Sequence, residues 1–229
     1  MSMITTNDDI EINCKYLDLG QPSVFSHGWP LGTFWKSSFL ILVLTTLPVL
    51  LVAQTTKWIN DKNHTSVKFE AQHLGVAIVA CQFMEFNGSM LSDKEDFADA
   101  KIIFTVQTKS VHTNVEMRDN DLRSKNYFDV KKYPEMNFKS ESFSKQKDGS
   151  YILSGYLTIK DITKMVEFKV TYHKTITDPW GNTRTGFRAK LTINRFDYHI
   201  NDAETFGDHI LHIAPDIKII LDTELTKTK

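Results

Sequence analysis

The 229-residue chain carries 27 Lys and Arg against 28 Asp and Glu, a net charge of −1, so it lacks the basic excess that a nucleic-acid binder wants. A hydrophobic fraction of 41%, with 15 Phe, 7 Tyr and 4 Trp, excludes wholesale disorder and suits one large all-β domain or at most two small ones. Two cysteines, Cys14 and Cys81, cannot build a disulfide framework or a Cys-based zinc site.

The chain opens with ITTNDDIEINCKYLDLG and then QPSVFSHGWPLG. This stretch resembles the start of an α/β-hydrolase of the non-haem haloperoxidase and esterase kind. The resemblance implies that the His27-Gly28-Trp29-Pro30 turn would lie beside an oxyanion hole. It ends near residue 33. The rest of the chain holds no G-x-S-x-G nucleophile elbow, which that enzyme class requires. Residues 1–33 therefore read as an orphan fragment joined to an unrelated protein, and a hydrolase activity is the weaker alternative.

Residues 34–53 read as a signal-like segment. The run FLILVLTTLPVLLVA, residues 39–53, is uncharged, follows Lys36 and is broken by Pro48. A bilayer span needs about 20 apolar residues, and this run is shorter. It fits a secretory h-region, with Ala53 at a plausible cleavage point. The expectation is a periplasmic or secreted protein, membrane-anchored if the segment is retained.

From residue 54 onward the pattern is strands. Val67, Phe69 and Ala71 alternate with polar neighbours, as do Ile102, Phe104 and Val106. Between these and the next strand, Glu116 to Asp129 is charge-rich and breaks the alternation, which predicts a short helix or structured loop. Tyr151 to Ile159 follows, with Gly155 at its middle, a residue that often marks a barrel corner. Val166, Phe168, Val170 and Tyr172 form the clearest alternating set. Phe187, Ala189, Leu191 and Ile193 form another, and Ile217, Ile219, Leu221 and Leu225 close the chain. Turn signals at Asn87-Gly88, Asp148-Gly149 and Asp178-Pro179-Trp180-Gly181 separate them. Seven to nine such strands predict a sandwich or a barrel.

An ordered set of short motifs runs along these strands. It begins with Trp58-x-x-Asp61-x-x-His64-Thr65, Phe69 and His73, and continues through Phe83, Phe86 and Gly88. Ser110-Val111-x-Thr113, Arg118-Asp119, Tyr127-Phe128-Asp129 and Tyr133-Pro134 come next. Gly155-Tyr156-Leu157-Thr158-Ile159-Lys160, Asp178-Pro179-x-Gly181 and Ile193-Asn194-Arg195 complete it. Residues 58 to 224 thereby resemble the YceI-like family of polyisoprenoid-binding proteins. Three positions depart from the family pattern: Thr65 where Ser is usual, Asp161-Ile162 for Gly-Val, and Tyr198-His199 for Phe-Gly.

The resemblance implies an all-β, eight-stranded antiparallel lipocalin-like barrel over residues 54–229, exported and non-catalytic. Its ligand would be an isoprenoid or another long-chain amphiphile, with no cofactor, no metal and no nucleic acid. The oligomeric state is open, a homodimer included. Phe69, Phe83, Phe104, Phe138, Phe168 and Phe187 are the candidate ligand-binding residues, with Arg118 beside Asp119 as a headgroup contact. The alternative is that these rings fill a solid core and the barrel is an interaction protein. His209 and His212 are three apart in a strand-like segment and face opposite ways, which argues against a metal pair.

Overall fold

The computed structural model describes residues 55–201 and 212–228. The hydrolase-like fragment (1–33), the signal-like segment (34–53) and His209 lie outside the described residues. Strand segments are β1 (Lys57–Asn60), β2 (Ser66–His73), β3 (Ala77–Phe83), β4 (Phe86–Leu91), β5 (Lys101–Gln107) and β6 (Val111–His112). A helix α1 (Glu116–Arg123) precedes β7 (Glu135–Lys145), β8 (Tyr151–Ile159), β9 (Ile162–Thr177), β10 (Thr183–Asn194) and β11 (Ile213–Lys227).

These segments close into an eight-stranded antiparallel barrel, because the first six are halves of three bent strands. β1 and β2 both pair with β11, through Trp58 opposite Lys227 and Val67 opposite Leu221. β4 lies on β1 and β3 on β2. β5 lies on β4 and β6 on β3. The second and third bends are bonded to one another: Met84 N–H donates to Ser110 O (3.1 Å), Glu85 N–H to Ser110 Oγ (3.0 Å) and Gln107 N–H to Glu85 O (2.9 Å). From β7 to β11 the chain is a plain meander. The alternation seen in the sequence sets the faces. On β9, Phe168 and Val170 are buried while Glu167, Lys169 and Thr171 are exposed.

Gly155 permits β8 to pass close to β7. A Cβ there would lie 2.8 Å from Ser140 Cα and would also strike the Lys139 carbonyl oxygen, at the point where β7 bulges between Ser140 and Ser142. The neighbour is backbone and cannot rotate away.

One end of the barrel is plugged with aromatic rings. Phe97 meets Phe187 edge-on at 5.3 Å and Trp58 at 5.7 Å, and Phe143 stacks on Tyr151 at 4.6 Å. Outside this plug, Arg184 ties three elements. Its Nε donates to Asp178 Oδ2 (2.6 Å) in the β9–β10 turn. Its Nη1 donates to Asp61 (2.8 Å) in the β1–β2 bend and to Glu224 of β11. The hydrogen bond from His64, 3.0 Å away, and that from Arg184 hold the Asp61 carboxyl at about 2. Asp178 also lies at about 2: its burial pushes the carboxyl up, but donation from Arg184 and from Asn182 outweighs it.

Two outcomes follow. Gly155→Ala lowers stability by about 2 kcal/mol through overpacking, read in urea unfolding. Because both carboxyls sit below their ordinary 3.8, their contribution to stability is full above that pH and fades as pH falls toward about 2. Asp178→Asn removes part of that acid dependence, so its stability falls less steeply than the wild type over the same window.

A cavity under the helix end of the barrel

The opposite half of the barrel is hollow. It encloses a cavity of about 640 Å³, lined almost wholly by apolar side chains. The inward parity of each strand supplies them: Val67, Phe69 and Ala71 from β2, Leu153, Leu157 and Ile159 from β8, Ile217, Ile219 and Leu221 from β11. Small inward residues keep the centre open, notably Ala71, Cys81 and Ala189. The phenylalanines pack on one another along the walls. Phe69, Phe83 and Phe128 form one group, with centroids 5.5 to 6.1 Å apart. Phe138 and Phe168 meet edge-on at 5.3 Å across the barrel from them.

α1 and the chain up to Phe128 roof this half, where β6 is only two residues long. The helix has no side-chain cap at Val115 and is held by polar contacts instead. Asp119, 4% exposed, accepts from Thr113 N–H (2.8 Å) and Thr113 Oγ1 (2.6 Å), with His112 Nδ1 at 3.2 Å. Burial raises the Asp119 carboxyl, but the Thr113 donors outweigh it and the net shift is downward. Arg118 donates through Nε to Thr113 Oγ1 and through Nη2 to Thr113 O, both at 2.9 Å. Arg123 donates to the Val111 and Lys109 carbonyls. Leu122, Tyr127 and Phe128 then face the cavity.

The structure brings together most of the residues singled out in the sequence. Phe69, Phe83, Phe104, Phe138 and Phe168 line the cavity, and Arg118 stands at its edge with two of its nitrogens committed to Thr113. Phe187 does not line it. That ring belongs to the plug, against Phe97, Phe143 and Tyr172. Phe187 and Ala189 share one face of β10, and the boundary between plug and cavity falls between them. The sequence reading did not name Phe128 and Leu122, whose segment showed no strand period, or Ala189, noted only as a member of an alternating set, as ligand-binding residues.

Arg195, 1% exposed, braces the rim of the cavity. Its Nη1 donates to the Ile200 (2.8 Å) and Asn201 (2.6 Å) carbonyls and its Nη2 to Ile213 O (3.0 Å). The short helical turn it anchors, Arg195–Tyr198, ends on His199 at φ 51°, ψ 41°. That left-handed conformation favours glycine, the residue usual at this position in the pattern above. Asp61, His64 and Glu224 lie close enough together to hold a cation. There, however, Arg184 already supplies the positive charge to both carboxylates.

Comparison with known proteins agrees with this architecture. The YceI-like domain pattern matches residues 58–225. The chain belongs to the YceI-like family. A UPF0312 protein of Vibrio parahaemolyticus is 30% identical over 182 residues, 78% of this chain and 96% of that one. A UPF0312 protein of Photorhabdus laumondii is 35% identical over 164 residues, covering 69% and 85%. Among solved structures, Burkholderia cenocepacia BcnA superposes with a TM-score of 0.63 at 20% identity, over 72% of this chain and 98% of that one. A polyisoprenoid binding domain from Saccharophagus degradans gives 0.56 at 11% identity, over 75% and 98%. These two likenesses show a shared YceI-like barrel.

Burial in the cavity wall pushes the Cys81 thiol up to about 11. In a Cys14→Ser background, this YceI-like protein should resist a water-soluble maleimide at neutral pH and react promptly once unfolded in urea. Mass spectrometry reads both states.

Proposed function

We propose that this YceI-like protein is an exported carrier that buries a long apolar chain in its barrel and does not transform it. The occupant is an isoprenoid lipid or a similar amphiphile. The observation that carries this reading is the 640 Å³ apolar cavity in one half of a barrel whose other half is tightly filled. A solid-barrel interaction protein would have no use for that division. The name of the Saccharophagus degradans neighbour, a polyisoprenoid binding domain, supports the ligand class. The signal-like segment supports export.

The physics of such a site needs no reacting group. Each methylene moved from water into the cavity contributes roughly 0.8 kcal/mol. A handful of them offsets the ordering cost of binding. The polar residues at the cavity edge, His73, Arg118, Asp121 and His212, stand where a headgroup would remain after the chain is buried. Their role here is to hold a polar end at the surface.

Native mass spectrometry of the purified protein, followed by organic extraction, tests the reading. The expected result is a stoichiometric adduct that extracts as a prenyl chain. A protein that stays at its bare mass after incubation with prenyl alcohols would contradict it. Ala189→Trp places an indole in the cavity and should weaken prenyl binding roughly tenfold or more, with the far-UV spectrum of a β-barrel retained.

A further inference from the structure

Between Gln72 and Met84 the chain has no Asp, Glu, Lys or Arg. This segment is the β2–β3 hairpin and its tip, and the tip is bare. Val76 is 83% exposed and Ile78 63% exposed. The turn is tight, with Leu74 at φ 48° and Gly75 at φ 71°, and a Cβ at Gly75 would meet nothing within 4 Å. Beside it, the start of α1 exposes Val115 and Met117, the latter by 76%. Leu74, Val115 and Met117 have a double position: each is exposed, and each lines the cavity. At these three residues the apolar wall of the cavity runs out onto the surface, while His73, Arg118, Asp121 and His212 make other parts of the edge polar.

We propose that the β2–β3 tip and the start of α1 form a docking surface for a lipid bilayer, seated so that the cavity opens toward the membrane. It takes its purpose from the carrier reading and is tested apart from it. Three features favour a bilayer as the occupant. Shallow insertion of the tip takes no formal charge out of water, which is the costly step in entering a membrane. Two backbone donors of the turn are already paired, Leu74 N–H to His212 O (2.8 Å) and Val76 N–H to His73 O (3.0 Å), so the apolar interface leaves neither of them unsatisfied. And the patch borders the opening at Leu74, Val115 and Met117, so a lipid could pass between bilayer and cavity on that side without its chain crossing water.

A second copy of the chain is the competing occupant. β3 is bonded to β6 only at Gln82 and Phe83, so the rest of its outer edge could pair with another strand. Such a dimer would cover the opening rather than use it.

Local fluorescence separates these cases and is indifferent to any vesicle binding by the N-terminal apolar run. The full chain, in a Cys14→Ser background, is labelled with an environment-sensitive nitrobenzoxadiazole dye at Val76→Cys or, as the control, at Trp180→Cys. Trp180 is 79% exposed in the β9–β10 turn, at the plugged end. With phosphatidylcholine–phosphatidylglycerol vesicles, the dye at position 76 should shift to the blue, brighten several-fold and be quenched by brominated acyl chains. The dye at 180 should not change. Ile78→Asp added to the protein labelled at Val76→Cys should abolish that blue shift and quenching, and unlabelled Val76→Asp, Ile78→Asp protein should still bind a soluble fluorescent prenyl probe within twofold of wild type. No response at 76, or a response at 180 alone, overturns the proposal. So does a blue shift at 76 that follows protein concentration without vesicles, which would mark the second copy. If the dye at 76 enters the bilayer while the prenyl probe fails to bind, the carrier reading falls and the docking surface stands.

Discussion

Closing eight antiparallel strands fixes the width of the interior, and each inward side chain either spans that width or leaves it empty. Both solutions occur in this barrel. At one end large rings meet in the middle, with Phe97, Phe143, Tyr151, Tyr172 and Phe187 packed in edge-on, tilted and stacked pairs. At the other, alanine, cysteine and medium aliphatic residues hold the walls apart and phenylalanines pack along them. The plug supplies the dense packing on which stability depends. The hollow half gives up part of that packing, which is the ordinary cost of a binding site.

The polar groups follow the same division. Around the plug they form a lock: Arg184 draws the carboxylates of Asp61, Asp178 and Glu224 together from three elements and fixes where β1, β10 and β11 meet. Around the hollow half they hold the roof. Thr113, Arg118, Asp119 and Arg123 anchor a helix of eight residues too short to be stable alone. The roof thus rests on a few buried hydrogen bonds and on Leu122, Tyr127 and Phe128 turned toward the cavity, and it can exist only because the barrel is there beneath it.

Much of the fold was legible in the sequence, because a strand with one wet face writes its period into the chain. β9, β10 and β11 show it plainly, and Glu116 to Asp129 showed where it stops. Parity tells which way a side chain points but not how far along the barrel it sits. That is why Phe187 and Ala189, on one face of one strand, were both inward and only one reached the cavity. The bends that make three strands out of six segments left no such trace, since each half keeps its own alternation. Arg195 was visible as a motif residue, yet its burial among the Ile200, Asn201 and Ile213 carbonyls depends on contacts 5 to 18 residues away. The bare hairpin tip stood in the open as thirteen residues without a formal charge. A strand period does not reveal it, because valine and isoleucine fit a strand whether they are exposed or buried.

The central claim is that burial of an apolar chain in the cavity supplies the binding free energy. A series of prenyl alcohols of increasing length, titrated against the purified protein by isothermal calorimetry in a matched detergent background, tests it most directly. Affinity should rise with each added unit, by up to roughly fourfold per buried methylene. It should then level off where the cavity is full, with a negative heat-capacity change that grows in step. An affinity indifferent to chain length, or set by the headgroup alone, would contradict the account.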